Sequence, residues 1–162
     1  MSERFSVSEI FLNAKTPLTP RNAVAAIILD NKNRVLLQLR DNKEEIFFPN
    51  HWGCFGGAIE PDESPKESLI RELKEELDID INPKLVEKFI DISFNTTTAS
   101  EEKINRYYYV IRLESGFENK INLGEGQAFE FFDSRSLLTI ANVSPYDRFG
   151  LWLYFNQNRL AA

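Results

Sequence analysis

The sequence predicts an α/β fold, a mixed β-sheet sandwiched between helices. Three observations lead there. Strand-like apolar runs alternate with helical segments along the chain, two of the strands are joined by a tight polar turn, and one helix carries both start signals and a clear amphipathic pattern. No repeat, low-complexity tract or Gly/Ser-rich linker interrupts the chain, so 1–162 reads as a single domain.

Residues 1–20 are punctuated by Pro17 and Pro20 and read as an N-terminal arm or an edge strand. Asn22–Asp30 (NAVAAIILD) is a nearly unbroken apolar run, the signature of a buried strand. Asn31-Lys32-Asn33 supplies turn residues, and Arg34–Arg40 (RVLLQLR) returns as the second strand of a hairpin. Asp41–Asn50 is a polar loop closed by Phe47, Phe48 and Pro49, and Trp52–Phe55 is a short apolar stretch running into Gly56-Gly57. Pro65–Leu77 is the best helix. Ser64 is a good N-cap, proline suits the first helical position, and Glu67 completes a Ser-x-x-Glu capping box. Lys84–Asn95 and Lys103–Glu114 read as two long strands, Ala128–Phe132 as another, Ser134–Leu138 as a short helical turn and Pro145–Asn158 as a C-terminal helix.

A chain of 162 residues, 43% hydrophobic, buries a core without disulfides or structural metals. With 25 acids against 19 bases the net charge is −6, which disfavours a polyanionic partner such as nucleic acid. A small phosphorylated ligand is compatible with that charge, because a local cation outweighs a distant average. No apolar run approaches the roughly 18 residues of a membrane span, and the first fifteen residues lack a signal-peptide pattern. The lone cysteine, Cys54, demands no oxidising compartment. The expectation is a soluble cytoplasmic protein with neither membrane nor nucleic-acid partners.

On a wheel of about 100° per residue, Leu69, Ile70, Leu73 and Leu77 share one arc, while Glu72, Glu75 and Glu76 share another. Glu72 and Glu76 lie one turn apart, where like charges cost a few tenths of a kcal/mol. They also lie toward the helix C-terminus, where the macrodipole disfavours negative charge. A hard divalent cation would offset both costs, since magnesium prefers clustered carboxylate oxygens. Seen alone, a glutamate-rich helix is more often a solvated face than a metal site. The residues before it shift that balance.

Gly57, Glu63, Arg71, Glu72, Leu73, Glu75, Glu76 and Ile79 resemble the Nudix box, G-x5-E-x7-R-E-U-x-E-E-x-G-U with U aliphatic, at eight of nine defined positions. A chance match in a chain this long is on the order of one in a million. The departure within the box is Asp78, which stands where the family has glycine. Aspartate tolerates a left-handed C-cap better than most residues, at a cost of about 1 kcal/mol or less. Outside the box, Phe55 stands where many members have proline and alters the loop before the double glycine.

The resemblance implies the Nudix fold and a magnesium-dependent hydrolase, with manganese able to substitute. It would cleave a phosphoanhydride bond in a nucleoside diphosphate linked to another group, with a nucleoside triphosphate yielding monophosphate and pyrophosphate as the leading substrate. Nucleotide sugars and dinucleoside polyphosphates are rivals, and a non-catalytic ligand-binding or regulatory module is the rival from another class. The isopentenyl diphosphate isomerases share the box but use a histidine-rich site, and this chain has one histidine, His51. A two-fold homodimer is the assembly expected from base rates.

Carried over by position, the resemblance gives magnesium the Gly56 carbonyl and the carboxylates of Glu72, Glu75 and Glu76, with Glu72 also discussed as a base. Arg71 orients the acids, and Glu63 ties the loop to the helix, with Glu60 a weaker candidate for similar work. Glu125, in Glu125-Gly126-Gln127, resembles a distal metal ligand or general base; a plain turn acid is the equal alternative. Arg40 resembles a phosphate-binding arginine, with a surface strand end the equal alternative. Tyr146 and Asp147 fall where some relatives read a purine base, on a loose alignment. By default, Cys54 reads as a buried small hydrophobe, His51 as structural or exposed, and Phe47, Phe48 and Trp52 as packing residues.

Overall fold

Strand β1 (Ala23–Leu29) lies at the centre of the sheet, with every residue from Val24 to Leu29 fully buried in this computed structural model. Residues 21–95, 103–140 and 142–160 are described; the expected arm or edge strand at 1–20 lies outside them. The other strands are β2 (Val35–Leu39), β3 (Trp52–Gly53), β4 (Val86–Asn95), β5 (Lys103–Arg112) and β6 (Ala128–Phe132). The sheet runs β3-β2-β1-β5-β4, with β6 also paired to β2. The β1–β5 pair is parallel and the remaining pairs are antiparallel, so the sheet is mixed as expected.

The apolar run of β1 is continuous because both faces are covered. Val24, Ala26 and Ile28 join one cluster with Leu69, Leu73 and Leu77 of helix α1 (Pro65–Leu77). Ala25, Ile27 and Leu29 join the other, with Leu137 of helix α2 (Ser134–Thr139) and Leu151 and Tyr154 of helix α3 (Pro145–Leu160). Fully burying each of the valine, leucine and isoleucine side chains among these stabilises the fold by about 1.5–3 kcal/mol.

The hairpin pairs only near its turn, at Ile28–Leu36 and Leu29–Val35. Beyond that point β1 turns its amides to the loop before α1. Ala26 N donates to Phe55 O at 2.8 Å and Val24 N to Gly57 O at 2.9 Å. Phe55, the residue in the proline position, is fully buried against this strand. The double glycine is thereby fixed to the buried central strand.

The capping box forms, with Ser64 and Glu67 each accepting from the other's backbone amide. Asp78 closes the helix at φ 56°, ψ 32°, its amide donating to Lys74 O, the left-handed conformation for which glycine is usual. β1 and β2 are each one residue shorter at both ends than expected, and four other boundaries differ. Asn82 caps a short 3-10 turn over Pro83–Leu85, so β4 starts at Val86, and β5 ends at Arg112 rather than Glu114. Asp133 caps α2, which runs to Thr139, and α3 extends to Leu160. A second 3-10 turn at Phe117–Lys120 was not anticipated; its only unusual backbone is a left-handed Gly116 before it.

Candidate active site

The acids on α1 divide by environment, although the helical wheel groups them together. Glu76 is 4% exposed, Glu72 is partly buried, and the Glu75 side chain is 57% exposed. Glu76 is held by two donors from other elements: Oε1 accepts from Gln38 Nε2 at 2.6 Å and Oε2 from the Gly56 amide at 2.7 Å. Burial pushes its carboxyl up to about 8; the two donors pull the other way, and Glu72 and Glu125 add to the rise. Glu72 is also raised, chiefly by burial, with Arg71 opposing.

Two glycines make this closeness feasible, for different reasons. Gly56 sits at φ 127°, and a Cβ there would stand 2.4 Å from Val24 O, inside the backbone of β1. A Cβ at Gly57 would stand 2.5 Å from the Glu72 carboxyl carbon. The first glycine lets the loop reach the strand, and the second leaves room for the acid.

Arg71 organises the rest. Its Nε and Nη2 hold both oxygens of Glu63 at 2.7 and 2.9 Å, in the bidentate geometry that suits a guanidinium. Its Nη1 reaches Glu72 Oε1 at 2.8 Å and Glu75 Oε2 at 3.3 Å, and Nη2 donates to Ala58 O. Hydrogen bonding to Arg71 lowers the Glu63 carboxyl to about 2. Glu63 therefore ties loop to helix through Arg71, as the box position suggests. Glu60 donates its amide to Glu63 and meets Arg21 at 3.5 Å on the surface.

The fold carries a distant segment to the same place. Gly124 N donates to Glu76 O at 2.8 Å, and Gln127 N donates to Leu39 O at 2.8 Å. The intervening loop crosses the end of α1, and the exposed Glu125 lies near enough to raise both Glu72 and Glu76. At Gly126, φ 86°, a Cβ would stand 2.8 Å from Gln38 Oε1, so only glycine fits between the loop and that side chain.

Arg40 ends β2 with its backbone amide on His51 O and its Nε on Phe47 O at 3.0 Å. Asp147 occupies a different setting from the one its proposed base-reading role needs. It is fully buried, with Oδ1 accepting from Arg106 Nε, Arg106 Nη2 and Tyr108 Oη, and Oδ2 from the Cys54 amide and Ser144 Oγ. Reading a base would mean breaking one of those bonds at a buried charge. The guanidinium of Arg106 stacks over Tyr146 at 4.3 Å. Nothing local in the sequence distinguishes Arg106, an arginine preceding a run of three tyrosines. Cys54 is fully buried and its thiol is pushed up by desolvation. Trp52 packs edge-on against Phe132, and Phe48 against His51 and Tyr146.

Among the described residues, no three His, Cys, Asp or Glu side chains already converge as a metal site. The carboxylates are instead turned to protein donors, Glu72 and Glu75 to Arg71, and Glu76 to Gln38 and Gly56. The donor set nevertheless suits a hard cation. The oxygens proposed as ligands, three carboxylates and the Gly56 carbonyl, are all hard donors, Glu72 and Glu76 are raised chiefly by burial, and both Glu76 oxygens keep a second lone pair.

A family model described as the NUDIX domain matches residues 19–153. The chain belongs to the Nudix family. Its mixed sheet and flanking helices match a MutT protein from Methanosarcina mazei Go1 with a TM-score of 0.70 at 21% identity, covering 88% of this chain and 98% of that one. The Escherichia coli dihydroneopterin triphosphate pyrophosphohydrolase matches at 0.63 and 17% identity, covering 90% and 99%. Over 57 residues, 35% of this chain, the sequence is 39% identical to a CTP pyrophosphohydrolase of Escherichia coli (strain K12), covering 41% of that protein. Over 57 residues, again 35% of this chain, it is 37% identical to an 8-oxo-dGTP diphosphatase of Proteus vulgaris, covering 49% of that protein. The matched stretch spans less than half of either relative. In this Nudix domain Arg71 gathers Glu63, Glu72 and Glu75, while Glu76 is held separately by Gln38 and the Gly56 amide.

Proposed function

We propose that this Nudix domain is a divalent-cation-dependent pyrophosphohydrolase acting on a nucleoside diphosphate linked to a further group. Its leading substrate class is a normal or modified nucleoside triphosphate, converted with one water to monophosphate and pyrophosphate. One observation carries the reading: buried Glu76 and partly buried Glu72 stand on consecutive turns against Gly56-Gly57, with Glu125 brought across them. Such an arrangement works against the fold unless positive charge arrives with the substrate.

The carboxylates of Glu72, Glu75 and Glu76 and the Gly56 carbonyl would hold magnesium or manganese, and Glu125 would add a ligand or a base. When bound, the cation neutralises phosphate oxygens and acidifies a coordinated water. Arg71 keeps Glu72 and Glu75 in place, while Gln38 orients Glu76. Arg40, at the end of β2, is the candidate for a substrate phosphate. A water attacks phosphorus, its proton passes to a carboxylate of the cluster, and the bond to the leaving pyrophosphate breaks. No covalent intermediate on the protein is required.

The named activities of the two curated relatives support the triphosphate class. A non-catalytic module is the weaker reading, because all three box acids and the distal Glu125 are present. No described helix is long and apolar enough to cross a membrane; the reading takes the protein as cytoplasmic, acting on small nucleotides. The test is a screen with magnesium, resolving products by chromatography, over triphosphates, ADP- and UDP-sugars and dinucleoside polyphosphates. Activity confined to the sugars would overturn the triphosphate class. Nucleotide binding with no turnover of any compound would favour the module.

A further inference from the structure

A groove of about 820 Å³ runs between α2 and α3, within the size range of small-molecule sites. It lies on the opposite face of the sheet from α1, since α3 covers the Ala25, Ile27 and Leu29 side and α1 the Val24, Ala26 and Ile28 side. Its lining is chemically selective. Phe149, Trp152 and Phe155 form an aromatic wall, Arg135, Arg148 and Arg159 supply positive charge, and among the described residues no Asp, Glu or Lys lines it. In a chain of net charge −6, that is a local reversal of sign.

Two features argue for an occupant. Phe149 and Trp152, 48% and 42% exposed, are two of the four large exposed hydrophobics among the described residues, and both line this groove. They recur at helical spacing on the face of α3 turned from the sheet, whereas Asp147, Gly150, Leu151 and Tyr154 are buried. The charges flank this wall. Arg148 and Arg159 stand about 16 Å apart along α3, and the Arg148 Nη2 donates to Ile140 O, which holds its guanidinium at the α2–α3 junction. Guanidinium groups beside aromatic faces pair with anions and stack on planar groups.

We propose that this groove is a second ligand site, for a small amphiphilic anion with a planar apolar body and a sulfonate, phosphate or carboxylate group. The assignment is independent of the phosphoanhydride chemistry on the other face.

The test uses the intact protein without divalent metal and the probe 1-anilinonaphthalene-8-sulfonate, followed by dye fluorescence and by quenching of tryptophan emission. One dye should bind per chain. Trp152→Ala should weaken it about tenfold or more, and Arg135→Glu and Arg159→Glu each about fivefold. The uncharged analogue N-phenyl-1-naphthylamine should respond to Trp152→Ala and not to the arginine variants. Displacement by adenosine monophosphate or by decanoate would identify the source as nucleotide-like or fatty-acid-like. Glu76→Gln should leave dye binding unchanged, which separates this site from the acidic cluster. Dye affinity indifferent to Trp152, Arg135 and Arg159, or lost in Glu76→Gln, would overturn the proposal. So would a dimer in sedimentation that excludes the dye and that Trp152→Ala dissociates.

Discussion

The side-chain amide of Gln38 donates to Glu76 Oε1 at 2.6 Å, joining two buried residues of β2 and α1. A Cβ at Gly126 would stand 2.8 Å from the same side chain's carbonyl oxygen, so one glutamine lies beside both the acidic helix and the loop bearing Glu125. The bond leaves Glu76 Oε2 on the Gly56 amide and restricts how the carboxylate can turn.

Replacing Gln38 by leucine therefore removes the one side-chain donor to Glu76 among the described residues. The expected loss is about 1–3 kcal/mol of stability, the usual cost of leaving a buried acceptor unsatisfied. Manganese affinity, followed by electron paramagnetic resonance, should fall along with kcat. Unchanged manganese affinity would show that Glu76 orients itself.

The Glu76→Gln variant keeps shape and removes charge. Turnover should fall by orders of magnitude while the folded circular dichroism spectrum is retained. Without metal at pH 8 and above, the variant should melt higher than the parent, because it spares the burial of a carboxylate that ionises at about 8. Full magnesium-dependent activity in this variant would show that the metal assignment is wrong.

Two carboxyls predict the pH profile of the metal-free protein, with opposite signs. Glu76 is raised from 4.5 to about 8 on folding, so its contribution is fully present below 4.5 and is lost as the pH rises through 8. Glu63 is lowered from 4.5 to about 2, so its contribution is present above 4.5 and is lost as the pH falls through 2. Melting temperatures in chelator should decline on both sides of the middle range. Saturating magnesium should lift the alkaline side, by about 2.7 kcal/mol at a hundredfold excess over Kd. A melting temperature that stays level from pH 4.5 to 8 in chelator would contradict the burial of an ionisable Glu76.

The paired glycines should separate folding from chemistry. Gly56→Ala drives a Cβ into Val24 O at a positive φ and should cost at least about 2 kcal/mol, read by denaturant unfolding. Gly57→Ala meets only the end of the Glu72 side chain, which can swing aside. Its melting temperature should stay near the parent's while kcat drops about tenfold or more. Equal loss of stability in the two variants would refute this division.

Arg71→Lys tests the bidentate grip. A lysine cannot hold both Glu63 oxygens while reaching Glu72 and Glu75. The variant should lose about 1–2 kcal/mol of stability and a larger share of activity, with the acid limb of the melting profile flattened because Glu63 then titrates near its ordinary value.

The sequence alone determined what short-range rules govern. Ser64 and Glu67 make a capping box because the two lie three residues apart, and Asp78 takes the left-handed cap because the helix ends there whatever surrounds it. The box spacing was legible for a similar reason, since Arg71, Glu72, Glu75 and Glu76 are placed by helical geometry. Only the tertiary structure decided which acid is buried, that Gln38 orients it, that Glu125 arrives beside it, and that Asp147 is engaged by Arg106 from β5. Those partners lie dozens of residues apart. Each must satisfy a buried charge or lone pair, so its identity depends on which strands and loops the packed core brings within hydrogen-bonding distance.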